Sequence, residues 1–127
     1  VIFVLHWSLE EHSMDSAVVR LCCNVLADLH VSQRAESQIR EMGLLDLVYE
    51  ALAHFPEDRA VLMSVLPLLQ RCALFEASLE RILDLGTVEL IVEAMWEHLK
   101  VPEVQQRCCE SLAVLSHDEE SSRIIGE

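Results

Sequence analysis

The side chains of this chain with intrinsic reactivity are five cysteines and six histidines, and their spacing decides what they can do. A structural zinc needs about four Cys or His ligands converging on one point, with paired cysteines usually set two to four residues apart. Here Cys22-Cys23 and Cys108-Cys109 are adjacent pairs far apart in the chain, and Cys72 stands alone. The residues 43 positions on from the first pair, midway to the second, are Val65 and Leu66, so no ligand set converges. The cysteines therefore read as small core residues, and neither a metal centre nor a cofactor is expected. Unpaired thiols of this kind fit the cytosol, or the nucleus. The histidines are dispersed; His12 and His98 are expected as partly buried turn residues. No Gly-rich phosphate loop, nucleophile elbow or His-Glu-x-x-His is present, so no catalytic residues are assigned and the expectation is a protein that is not an enzyme.

Charge narrows the partners. The sequence has 22 acidic and nine basic residues, a formal charge of −13, which opposes contact with phosphate backbones and anionic lipid surfaces. The expectation is a solvated acidic exterior, no nucleic-acid partner and no membrane partner. The apolar stretch at the start gives way at once to His6, Ser8, Glu10 and Glu11, far short of the ~20 apolar residues of a membrane helix.

The elements that carry these residues follow from composition and period. Only 3 Gly and 3 Pro among 127 residues, with 52% apolar content, exclude a turn-rich β-fold and argue for a folded all-α chain. Residues 76–118 slide back by 43 positions onto 33–75 without a gap: Ile39 over Ile82, Gly43 over Gly86, Leu47 over Leu90, Ala51 over Ala94, Val61 over Val104, Leu69 over Leu112. The register runs outward to Val4, Leu9, Val18, Cys22 and Leu26, and forward to Ile125. A period near 43 lies in the range of helical solenoids. The chain divides into a partial repeat (1–32), two full repeats (33–75 and 76–118) and the start of another (119–127), as though it began inside a unit.

Each full unit is expected to hold a short, a medium and a long helix. The short helix closes at Gly43 or Gly86, where positive φ ends a helix without strain. The medium helix runs over 44–54 with Leu45, Val48, Leu52 and Phe55 on one side, and over 87–99 in the next unit. Pro56-Glu57-Asp58 and Pro102-Glu103 are expected to open the long helices. In the first unit Ser13 is the expected N-cap, and Val18, Leu21, Cys22, Val25, Leu26 and Leu29 the expected apolar face. Pro67 falls inside a long helix, where it removes the bond to the Met63 carbonyl and should kink it.

A short helix ending Ile-x-x-x-Gly (Ile39/Gly43, Ile82/Gly86), a second helix of Leu-Val-x-x-Ala-Leu type and a third opened by Pro-Glu-Val-Gln together resemble the armadillo-repeat family. The phrases EALAHFPED and IVEAMWEHLKVPEVQQRCCESLAVLS look most like the divergent armadillo repeats of large signalling proteins such as leucine-rich-repeat kinases. The resemblance implies a right-handed armadillo-like α-solenoid whose third helices line a concave groove that grips peptides or partner helices. Family members that clamp a peptide backbone carry repeated Trp and Asn there. At those positions this chain has Asn24, Pro67 and Glu110, and Asp28, Arg71 and Val114, which disfavours a general nuclear-localisation-signal receptor. With Arg20, Met63 and Gln106 one turn earlier, these nine residues are the candidate partner contacts. The expected function is a protein-interaction or scaffolding module that binds a protein or peptide partner. The alternative is a structural spacer packed against a neighbouring, kinase-like domain of the same polypeptide.

Overall fold

A computed structural model describes residues 2–29 and 33–116. Within them the chain forms eight α-helices and no strand: α1 (Ile2–Glu11), α2 (Ser16–Asp28), α3 (Gln33–Glu41), α4 (Leu44–His54), α5 (Arg59–Cys72), α6 (Glu76–Leu85), α7 (Thr87–Glu97) and α8 (Pro102–Leu115). Helices α3 to α5 and α6 to α8 rise in length in the same order, short, medium and long.

Local chemistry sets the boundaries. Gly43 and Gly86 adopt φ of +77° and +90°, so α3 turns into α4 across Met42 and Gly43, and α6 into α7 across Gly86 alone. Two other expected boundaries differ. Asp15, not Ser13, caps α2: its carboxylate accepts from the amides of Ala17 and Val18, and a charged acceptor suits the positive end of the helix better than a hydroxyl. Likewise Asp58 caps α5 through the Val61 amide, which leaves Pro56 in the preceding turn rather than in the first turn of the helix. Pro102 does stand at the start of α8, where its missing N–H costs nothing. Helix α5 runs unbroken through Pro67.

The long helices form the spine, with α5 packed between α2 and α8, while α4 meets α3, α5, α6 and α7, and α1 lies on α2. The core follows that arrangement: Val61, Leu62, Val65, Leu66, Leu68 and Leu69 make α5 buried on nearly every side. The apolar face of α2 is rotated from the expected one. Val19, Cys23 and Ala27 are buried with Cys22 and Leu26, whereas Leu21 and Val25 are exposed, because the buried side of α2 is the one that meets α5.

Candidate interaction surface

All nine candidate contacts lie on the long helices and none is buried. Asn24, Asp28, Arg71 and Gln106 are exposed; Arg20, Met63, Pro67, Glu110 and Val114 are half-buried. Three of them meet: Pro67 and Arg71 of α5 and Val114 of α8 line one open depression of about 310 Å³, together with Gln70, Leu74 and Arg107. A fourth and fifth are joined by the Gln106 amide donating to the Glu110 carboxylate at 3.3 Å. Arg20, Asn24, Asp28 and Met63 line no part of that depression. Gln70 and Leu74 escaped the sequence reading because it followed a single i, i+4 column. The spacing Pro67, Gln70, Arg71, Leu74 is itself one helical stripe and could have flagged them.

Polar contacts fix α5 against α8 around this depression. Gln70 donates to the Ser111 hydroxyl at 2.9 Å, that hydroxyl donates back to the Arg107 carbonyl at 3.0 Å, and Arg59 pairs with Glu103. Arg107 lies 3.5 Å from Glu110, a half-exposed pair of the kind worth under ~1 kcal/mol.

Elsewhere, reactive side chains are spent on structure. Glu36 of α3, 4% exposed, accepts from the Ser78 hydroxyl of α6 at 2.6 Å and from Arg40 Nε at 3.0 Å. Burial pushes its pKa up, but the Ser78 and Arg40 donors outweigh burial and hold the carboxyl below its ordinary value. Cys22, Cys23, Cys72 and Cys108 are buried, in keeping with the expected core role. Burial raises Cys23 and Cys72 to about 12 and Cys108 to about 11, with neighbouring thiols adding to Cys23 and Cys108 and the Glu36 carboxylate to Cys72. Cys109 corrects the expectation: it is exposed, because it sits on the side of α8 that no other described helix covers. His12 is exposed as well, while His98 is half-buried and its Nε2–H donates to the Pro56 carbonyl at 3.0 Å. Gln105 closes the end of α7 by donating to the Met95 and His98 carbonyls at 2.9 and 2.8 Å.

Among the described residues no three His, Cys, Asp or Glu side chains gather where they could hold a metal ion. Two larger open hollows, about 560 and 770 Å³, are each lined by one turn alone, residues 11–16 and 54–60. They stand 43 residues apart and bring no groups together from different elements, so they are features of the turn rather than sites. Nor is any described helix long and apolar enough to cross a membrane. No protein-family model matches the chain, and no solved structure matches it.

Proposed function

We propose that this chain is an armadillo-like α-solenoid with a 43-residue period, acting as a protein-interaction or scaffolding module through the surface of its long helices. Support for the period comes from contacts that owe nothing to sequence alignment. Among the described residues, four of the five side-chain contacts that join one three-helix unit to the next, Gln70–Ser111, Glu36–Ser78, Pro56–His98 and Arg59–Glu103, span 41, 42, 42 and 44 residues, while the fifth, Arg81–Asp46, spans 35. Support for a shared face comes from the packing of α5 between α2 and α8, with all nine candidates exposed or half-buried on those three helices. The observation that carries a binding role is the meeting of Pro67, Arg71 and Val114, from two helices, in one solvent-open depression. Binding is the whole of the mechanism; the partner is a protein or peptide, and the compartment the cytosol or nucleus.

Two charge reversals on exposed positions test the reading: Arg71→Glu on the long-helix face and Glu41→Lys at the end of α3. Association with a protein partner, read by co-purification and calorimetry, is expected to weaken with Arg71→Glu and to survive Glu41→Lys. Loss with Glu41→Lys alone overturns it.

One observation favours the second reading, a spacer packed against a neighbouring domain. On α1, Phe3 and Trp7 are exposed aromatics standing where the later units have Asp46 and Glu50, or Glu89 and Glu93. Apolar side chains at positions that are otherwise solvated acids suit a covered surface, and Leu21 and Val25 of α2 extend the exposed apolar set.

A further inference from the structure

Charge is divided unevenly between the helices. The long helices α2, α5 and α8 hold four of the nine basic residues, Arg20, Arg59, Arg71 and Arg107, but only three of the 22 acidic ones, Asp28, Glu103 and Glu110. The rest of the chain, taken together, holds the other 19 acidic residues against five basic ones, although α3 by itself is balanced. Most of the negative charge therefore belongs to the other elements, and the helices that carry the candidate contacts are near-neutral to slightly basic. Arginines on that face differ in what they already do. Arg59 is taken by Glu103. Among the described residues, Arg107 is held by the long, half-exposed pair with Glu110 alone. Arg71 is exposed and has no ion pair among the described residues.

The depression adds an apolar component to that charge. Arg71 and Arg107 line it from α5 and α8; Pro67 and Val114 are half-buried in its wall, and Leu74, just past the end of α5, is 78% exposed on its rim. A leucine that exposed, beside two guanidinium groups, loses little on accepting a partner and gains apolar area when covered. At about 310 Å³ the space is at the lower limit of small-molecule pockets, roughly 300–1,000 Å³. It takes one or two side chains rather than a cofactor. Guanidinium forks pair carboxylates with two parallel hydrogen bonds, a geometry no neutral side chain on this face supplies.

We infer that this depression binds an acidic peptide segment in which an Asp or Glu adjoins a large apolar side chain, the carboxylate facing Arg71 and Arg107 and the apolar group covering Leu74, Pro67 and Val114. The inference rests on the interaction-module reading above and specifies its partner. Net charge alone points the other way, to a basic ligand for an acidic protein; the local arrangement decides because exposed charges more than about a Debye length away, ~8–10 Å, are screened.

The test uses three fluorescein-labelled synthetic peptide pools with neutral random flanks and fixed centres: Asp/Glu next to Leu/Phe, Lys/Arg next to Leu/Phe, and Asp/Glu next to Ser. Fluorescence anisotropy is read with the intact chain and with Arg71→Glu, Arg107→Glu and Leu74→Ser, whose helical content is checked by circular dichroism. The acidic–apolar pool is expected to bind best, to weaken roughly five- to tenfold with Arg71→Glu and less with Arg107→Glu, and to weaken with added salt. Leu74→Ser is expected to erase its advantage over the acidic–serine pool. Equal or tighter binding of the basic pool overturns the acidic assignment; if Met63→Lys abolishes that binding, the long-helix face remains the binding surface and only its chemistry was misassigned. Unchanged affinity of the acidic–apolar pool for Arg71→Glu also overturns it. Absence of binding by every pool overturns both the inference and the reading beneath it.

Discussion

At the scale of single residues, the informative group is Glu36, a carboxylate almost removed from water and placed where two three-helix units meet. A carboxylate buried without donors would take up a proton; this one keeps its charge because Ser78 and Arg40 both donate to Oε1. Its pKa is therefore lower in the folded chain than the ordinary 4.5 that it regains on unfolding. The sign of the linkage follows. Above 4.5 both states are ionised and the folded state has the full benefit of the contacts, whereas in more acid solution the unfolded chain takes up the proton first and the benefit is lost. Glu36→Gln is expected to lower unfolding stability by about 1–3 kcal/mol at neutral pH, since the amide oxygen can still accept but the charge that strengthens the Arg40 and Ser78 contacts is gone. Urea unfolding of the two proteins should converge as the pH falls through and below the carboxylate range. A gap that stays constant or widens in acid would show that Glu36 acts through packing alone. Nothing in the sequence singled out Glu36: it is an acid in a polar short helix, and its burial depends on Ser78 arriving from 42 residues away.

At the scale of helices, the sequence was legible where a boundary depends on backbone permissiveness and misleading where it depends on competing caps. Gly43 and Gly86 each follow a short helix and must turn the chain into the next helix at once, a task for which positive φ leaves glycine nearly alone. By contrast, Ser13 and Asp15 are both good caps on composition, and Pro56 is a good first-turn residue. Which one acts is settled by the carboxylates of Asp15 and Asp58 reaching free amides, a matter of geometry. The two glycines also offer a clean measurement. A Cβ on Gly43 would meet no atom within 4 Å, and one on Gly86 only Glu89 Oε2 at 3.5 Å and Tyr49 Oη at 3.9 Å, both ordinary contacts. Alanine at either site is strained by its φ alone, so Gly43→Ala and Gly86→Ala are each expected to cost about 1–2 kcal/mol, with asparagine costing less at both. Thermal unfolding checks this. A much larger loss at Gly86 would mean that packing rather than backbone conformation fixes the second turn, and the two turns would not be equivalent.

At the scale of the whole molecule, the proposed stacking gives α2 and α8 exposed outer sides that complement each other. Inside the stack, Gln70 of α5 meets Ser111 of α8, so the Ala27/Gln70/Ala113 column of one long helix faces the Val25/Leu68/Ser111 column of the next. The second of these columns is covered on α5 and α8, with Leu68 1% exposed, yet on α2 it is open: Val25 is 43% exposed and Leu21, one turn earlier, 57%. On α8 the complementary side is open instead, since Cys109 and Ala113 are exposed where Cys23, Ala27 and Leu66 are buried. The 43-residue pattern could be read from sequence without revealing this, because periodicity identifies which positions recur but not which side of a helix meets its predecessor. Leu21 and Val25 were accordingly expected inside. Two such sides make a heterologous contact, which does not close into a dimer and grows with concentration. Sedimentation velocity over a concentration series is expected to show the weight-average mass rising without a plateau, at moderate salt and under reducing conditions. Leu21→Glu with Val25→Glu should suppress that growth while leaving the helical content intact, because both side chains already stand in solvent. Removing the apolar contact on one side is enough, since every head-to-tail junction uses it. If the double variant associates as the parent does, the α2 side is not half of such a junction. Exposed Phe3 and Trp7 on α1 would then be the surface to alter next, and the spacer reading would gain over free stacking.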